Sequence, residues 1–363
     1  MKKAAIIFCS ALVMGTVLSS VTGCGSLRQG GNVPALKKVF RDEFQVGVAF
    51  GTPMLEADQE PARQLAARQF NACTPENEMK WSVIHPEPDR YNFEPADAVV
   101  AFAEKHGMEI TGHTLVWHLQ TPDWVFLDDQ GGPASREVVV RRLRDHIHTV
   151  MGRYKGRVTG WDVVNEALSN LPGGYLRDSP WRRAIGDDYL VLAYQFAREA
   201  DPEAKLYYND FNLEKPDKLA SMLRLMDELA AQGIHLDAVG NQGHSHIDYP
   251  PAKALDNAIA TLSGRGLKIN ISEIDLSLYS FGDKENRYPN GASREILATQ
   301  AERYAELFKV FGKHHQHIDR VTFWGVHDGL SWLNFLSEFE RPDYPLLFDR
   351  DCRPKPAFYA LIP

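Results

Sequence analysis

Eight short apolar runs, each followed by a longer stretch with helical spacing, leave this chain few folds to choose from. The runs cover 46–50, 70–74, 109–117, 158–164, 205–208, 238–242, 267–271 and 321–326. Between them lie 60–69, 95–106, 135–154, 187–200, 216–232, 251–263 and 293–313, and a last helical stretch at 354–361 follows the eighth run. In these stretches apolar residues recur at helical intervals, and several open on Pro or on an Asp or Ser cap. Runs nearly continuous in apolar residues indicate strands covered on both faces, hence a parallel sheet. The eight units predict an α/β fold, a single-domain (β/α)8 TIM barrel over residues 41–363.

What precedes the barrel has a different character. Lys2 and Lys3 give a positive start, an apolar run spans 4–18, and the small-residue sequence VTGC closes at Cys24. Residues 1–23 therefore read as an export signal, too short for a confident membrane span. The VTGC tetrapeptide resembles the bacterial lipobox, which implies acylation at Cys24, with 24–40 as a tether. The expected location is the bacterial cell envelope, lipid-anchored; a plain secretory signal cut nearby would leave the protein secreted. Of the 4 cysteines, Cys9 lies in the leader, and Cys73, in an apolar run, reads as a buried thiol. Whether Cys73 pairs with Cys352 stays open. A net charge of −8 argues against a nucleic-acid partner, and a monomer is expected. The basic segment REVVVRRLRDH (136–146) has apolar residues at helical spacing and reads as a solvated helix face.

In such a barrel the active site gathers at the C-terminal ends of the strands. Polar residues do cluster there: PENEMKW after the second run, GHTLVWH ending the third, Asn165-Glu166 the fourth and Asn209-Asp210 the fifth. Gln242-Gly243-His244 ends the sixth run, Ser272-Glu273-Ile274-Asp275 the seventh, and Trp324 the eighth, with Trp332 in its loop. Glu166 and Glu273 form a carboxyl pair able to face one another across the mouth. Glycosidic cleavage needs such a pair, one carboxyl to protonate the leaving oxygen and one to attack or to activate water. Trp117, Trp324 and Trp332 offer flat apolar surfaces for sugar rings, while Asn77, Lys80, Gln120, Asn165 and Asn209 offer hydrogen bonds to hydroxyls.

From about Val46 onward the chain resembles glycoside hydrolase family 10 endo-β-1,4-xylanases. PENEMKW, GHTLVWH, WDVVNEA, YYNDFN, NQGHS, ISEID, VTFWGVHDGLSW and YPLLFD occur in the family's order. The resemblance implies a retaining double displacement on xylan and xylo-oligosaccharides, with Glu166 as acid/base and Glu273 as nucleophile. It further implies that Asn165 holds the sugar 2-hydroxyl, and that Glu76, Asn77, Lys80, His113 and Trp117 line the glycone side. Gln242 and His244 would sit beside Glu273, Asp275 behind His244, and a cis peptide within GHT. Glu166 must carry a proton to act as acid, which burial and the charge of Glu273 favour; Glu273 must stay ionised, which donors such as His244 favour. No metal and no cofactor is called for.

Other readings remain in view. A related β-1,4-glucanase or mixed-specificity glycosidase would carry the same carboxyls, and a surface glycan-binding lipoprotein would have lost them. A metal-dependent hydrolase is suggested by 13 histidines and the His244-Ser245-His246 pair, but His113 and His118 point to opposite faces of an extended strand. Asp162 and Asp210 read as structural, Trp124, Trp161 and Trp181 as core or rim aromatics, and HHQH (314–317) as an exposed helix end. Leu119, Ser245 and LNFLSEFERPDY after Trp332 depart from the common family pattern and put subsite binding in question, chiefly on the leaving-group side.

Overall fold

The runs become strands because their side chains are buried on both faces. In the computed structural model, which describes residues 33–336 and 341–362, these are β1 (Gln45–Phe50), β2 (Ala72–Pro75), β3 (Glu109–Val116) and β4 (Gly160–Asn165). They continue as β5 (Lys205–Asp210), β6 (Ala238–Asn241), β7 (His244–His246), β8 (Lys268–Ser277) and β9 (Ile318–Phe323). All pair in parallel in the order β6-β5-β4-β3-β2-β1-β9-β8, and a β6–β8 pairing closes the ring. This is the expected (β/α)8 barrel: eight strands form the ring, and β7 is a short extra strand on the far half of β8. Glu60–Gln69, Glu94–Lys105, Arg136–Tyr154, Tyr189–Ala200, Pro216–Ala231, Ala252–Ser263, Arg294–Lys313 and Pro356–Ala360 supply the helices. Arg136–Tyr154 buries Val139, Leu143, Ile147 and Val150 as a stripe, so its basic residues form the outer face.

The strands overrun the expected limits where polar side chains find partners inside the mouth. β5 was expected to stop at 208 but takes in Asn209 and Asp210, and β8 runs past 271 to Ser277, carrying Glu273 and Asp275 within it. Apolar patterning ends where the polar residues begin, whereas the ladder continues. Register shifts fall between His113 and Val116, Asp162 and Val164, and Ile271 and Ile274. Irregularities at a barrel rim re-aim the side chains beyond them, here toward the mouth. The His113–Thr114 peptide is cis, as is Tyr249–Pro250.

The packed unit begins before residue 41. Leu36–Val39 is a helical turn whose Leu36 is fully buried, its backbone N–H donating to Gln69 Oε1 at 2.9 Å. The leader, Cys9 and the Cys24 acylation site lie outside the described residues. Cys73 is buried and Cys352 half-buried, both free thiols. His314, expected to be exposed, is buried with Nε2 2.6 Å from Asp256, which anchors the helix end.

One buried polar contact backs the PENEMKW loop. His146 is wholly buried, stacks on Trp81 with centroids 3.6 Å apart, and lies Nδ1 to Nδ1 3.2 Å from His85. One ring must donate and the other accept, so a further proton breaks the contact. Burial holds both imidazoles below the ordinary 6.5, in His146 far below. The unfolded rings take up protons below about pH 6.5 and the folded ones resist, so the pair's stabilisation is complete above that pH and lost as pH falls. The melting temperature should therefore drop as pH falls from 6.5 toward 5, and calorimetry on a His85→Gln/His146→Gln double variant should show a shallower drop.

Candidate active site

Glu166 leaves β4 in a backbone conformation unusual for its type, with φ of 59°. A left-handed non-glycine residue costs about 1–2 kcal/mol, so neighbours must enforce it. Its N–H donates to the Asn209 carbonyl at 2.9 Å, and its own carbonyl accepts from Arg177 Nε at 2.9 Å. Its carboxyl accepts from Gln242 Nε2 at 3.0 Å. Asn165, one residue earlier, lies among Asn209, Gln242 and Trp117.

Glu273 is 5% exposed, and burial alone would raise its carboxyl. The His244 hydrogen bond, the charges of His113 and His244, and an Asn209 bond outweigh that and hold it below the ordinary value. His244 Nε2 stands 3.2 Å from Glu273 Oε2, and Asn209 Nδ2 donates to Oε1 at 2.6 Å. Behind His244, Nδ1 lies 3.0 Å from Asp275 Oδ1, and Asp275 Oδ2 accepts from Trp332 Nε1 at 2.8 Å. Burial works against a charged His244, but Asp275 and Glu273 push it up to about 10. A charged imidazole donates from both nitrogens, so the line from Trp332 through Asp275 and His244 to Glu273 is fully satisfied. β7 makes this line possible. It pairs His244 with Asp275 in register, and Glu273 shares Asp275's face of β8 by strand alternation.

The expected residues converge, with one exception. Lys80, His113, Trp117, Asn165, Gln242, His244, Trp324 and Trp332 line a cavity of about 270 Å³ with both glutamates. Glu76, Asn77 and Gln120 line an adjoining cavity of about 450 Å³, bounded in common by Lys80 and the three tryptophans. Asn209 is the exception: fully buried, it bonds Glu273 rather than facing the cleft for a sugar hydroxyl. Its neighbour across the strand, Gly240, leaves the room, since a Cβ there would overlap Asn209 Oδ1. The two glutamates of PENEMKW divide. Glu78 accepts from the Thr52 N–H at 2.7 Å and clamps the loop after β1, whereas Glu76 lines the cleft. Burial, opposed by Lys80 and reinforced by Glu78 and Glu273, pushes the Glu76 carboxyl up to about 7. Burial also lowers the Lys80 ammonium, which the surrounding acids oppose; its Nζ donates to Asn77 Oδ1 at 3.0 Å and lies over Trp117, 5.0 Å from the ring centroid.

The residues read as structural are so. Asp162, buried, sits 2.9 Å from His113 Nδ1 and orients that ring. Asp210 pairs with Lys218 at 2.6 Å, accepts from Tyr208 at 2.5 Å, and holds the Phe211 N–H at 2.9 Å. Trp161 is core, and Trp181 Nε1 donates to the Trp117 carbonyl at 3.0 Å, steadying that platform from below. Ser245 is buried, its hydroxyl on the Gly243 carbonyl at 2.8 Å. Sequence reasoning passed over Phe211, which lines the catalytic cavity. Its signal was its place, one residue past the polar end of β5. Among the described residues no cluster of three or more His, Cys, Asp or Glu is arranged to hold a metal ion.

Residues 35–363 match the family described as Glycosyl hydrolase family 10. The chain is 40% identical over 334 residues to the Beta-1,4-xylanase of Dictyoglomus thermophilum, covering 92% of each. It is 42% identical over 329 residues to Endo-1,4-beta-xylanase A of Caldicellulosiruptor saccharolyticus, covering 90% of this chain and 95% of the relative. Among solved structures, xylanase XynB from Paenibacillus barcinonensis superposes with a TM-score of 0.87 at 38% identity, covering 91% of this chain and 98% of that one. The endo-1,4-beta-xylanase of Caldicellulosiruptor owensensis gives 0.85 at 41% identity, with 91% and 99% covered.

The hydrogen-bonded line makes the ionisation of Glu273 depend on a residue that does not touch it. Asp275→Asn removes the charge that sustains protonated His244, so Glu273 should take up its proton at a pH on the order of one unit higher. Carboxyl difference spectra against Glu273→Gln would follow the titration, and an unmoved midpoint would show that Asp275 does not act through His244.

Proposed function

The chain belongs to glycosyl hydrolase family 10 and is a retaining endo-1,4-β-xylanase acting on xylan and xylo-oligosaccharides, and on that premise we propose the part each residue takes. Glu273 is the nucleophile. Its buried negative charge, kept by His244, Asp275 and Asn209, is the observation that carries the reading. Glu166, protonated, gives its proton to the glycosidic oxygen as Glu273 attacks the anomeric carbon from the opposite face. The C–O bond to the leaving sugar breaks, and a covalent glycosyl-enzyme ester forms.

Attack consumes the charge on Glu273, so Glu166 is left as the one carboxylate of the pair and becomes a base. It then takes a proton from water as the water oxygen displaces the ester, returning Glu273 as carboxylate and giving retained configuration. Asn165 holds the 2-hydroxyl of the reacting sugar. Trp117, Trp324 and Trp332 present flat apolar faces to sugar rings, and Glu76, Asn77, Lys80 and Gln120 take hydroxyls on the glycone side. His113 and Gln242 complete the reacting sugar's pocket, and Phe211 bounds it. Asn209 and Asp275 act through Glu273 and His244 rather than on substrate.

Before catalysis we propose export, with acylation at Cys24 and attachment in the cell envelope through residues 24–40 as tether; the charged start, the apolar run and VTGC support it. Labelled palmitate should enter the wild type in a lipoprotein-competent bacterium and be absent from Cys24→Ser. An unlabelled wild type would leave a plain secretory signal.

The glutamate roles separate by leaving group. Glu273→Ala should lose activity on every xyloside, because no ester can form. Glu166→Ala should be crippled on xylan, typically by 10²–10⁴-fold or more for loss of acid catalysis, yet keep the first step on aryl β-xylobiosides with acidic leaving groups. Azide, which needs no base, should then speed turnover and yield the β-glycosyl azide. Azide rescue to the α product, or surviving activity in Glu273→Ala, would overturn the assignment.

A further inference from the structure

Among the described residues lining the cleft, Phe335 is the exposed large apolar side chain, and the mechanism above leaves it without a role. It is 77% exposed and lines the cavity of about 450 Å³ that also holds Glu76 and Asn77. A single exposed aromatic is ordinary on a protein surface. This one differs in how it is held. It ends the turn Trp332–Phe335, whose Trp332 is anchored by Asp275. Asn334 next to it is clamped from four directions. Its Nδ2 donates to the Asp328 and Ser331 carbonyls at 2.7 and 3.0 Å, and its Oδ1 accepts from the Asp343 N–H at 3.0 Å and from Arg350 at 2.8 Å. A rigid turn thus holds an apolar ring in an open cleft, an arrangement that lowers the entropic cost of binding.

The cavity also has more room than its polar residues need. The catalytic cavity of about 270 Å³ takes the reacting sugar, and Glu76, Asn77 and Gln120 suit the hydroxyls of the next one. The larger cavity shares Lys80, Trp117, Trp324 and Trp332 with it, and its lining also includes the apolar side chains of Pro53, Met54, Leu330 and Phe335. Such side chains have no use for hydroxyls, but an aromatic ring among them suits the C–H face of a pyranose, which aromatic rings bind by apolar contact.

We propose that Phe335 is the platform of a further glycone subsite, binding the third β-1,4-linked xylose counted from the cleaved bond. The proposal rests on the xylanase reading above. The site would add binding for longer chains without touching the reacting bond, so its contribution appears in selectivity for chain length. The apolar ring is the operative group. Another aromatic at 335 should preserve the effect and a methyl should not.

The test compares 4-nitrophenyl β-xylobioside with 4-nitrophenyl β-xylotrioside, scoring nitrophenol release alone so that only glycone length differs. The wild type should favour the trioside in kcat/KM. In Phe335→Ala the trioside-to-bioside ratio should fall by about 5- to 10-fold, and in Phe335→Trp it should be kept. An unchanged ratio in Phe335→Ala, or equal loss on both substrates, would overturn the subsite while leaving the xylanase reading intact. Nitrophenol release from neither substrate by the wild type would overturn both.

Discussion

Everything at the barrel mouth is arranged around one negative charge in a place water hardly reaches. Glu273 is 5% exposed, and an unpaired carboxylate so buried would take a proton and cease to be a nucleophile. The hydrogen bond to His244, together with the charge of His113 and the bond from Asn209, prevents this, and Asp275 behind His244 helps keep that ring charged and in place. Trp332, at the far end of the line, is both a wall of the cleft and the donor that satisfies Asp275's second oxygen. Substrate surface and nucleophile are therefore fixed by the same hydrogen bonds.

The barrel supplies this charge with neighbours that no local stretch could provide. Asn209 from β5 bonds Glu273 from β8, and Gln242, just after β6, bonds Glu166 after β4. Each acidic residue is thus held by a strand other than its own. The strained backbone of Glu166 belongs to the same scheme, pinned by the Asn209 carbonyl on one side and Arg177 on the other. Glu76 shows the opposite outcome of burial. Burial, with two other acids nearby and only Lys80 as counter-charge, pushes its carboxyl up to about 7.

Much of this was legible in the sequence, for reasons that also mark the limit. Apolar runs reveal strands because barrel strands are buried on both faces, so all eight ring strands could be located, and the polar residues after them located the mouth. β7 left no such mark. His244-Ser245-His246 has no apolar pattern, and it is a strand only because β8 runs on far enough to pair with it. The overrun of β5 hid Asn209 in the same way. At a strand end it reads as a group open to solvent, but inside an extended β5 it is buried against Glu273. Nor could spacing tell Glu76 from Glu78, since which of them faces the cleft is settled by the loop after β1, whose Thr52 claims Glu78.

The central claim is that Glu273 is the nucleophile whose carboxylate oxygen bonds the anomeric carbon, and capturing the ester tests it most directly. A 2-deoxy-2-fluoro-β-xylobioside with a good leaving group forms the ester but slows its hydrolysis. After a single turnover, peptide mass spectrometry should find one glycosyl label per chain, carried on Glu273. A label on Glu76, Glu166 or any other carboxylate, or turnover with no covalent adduct, would contradict the account.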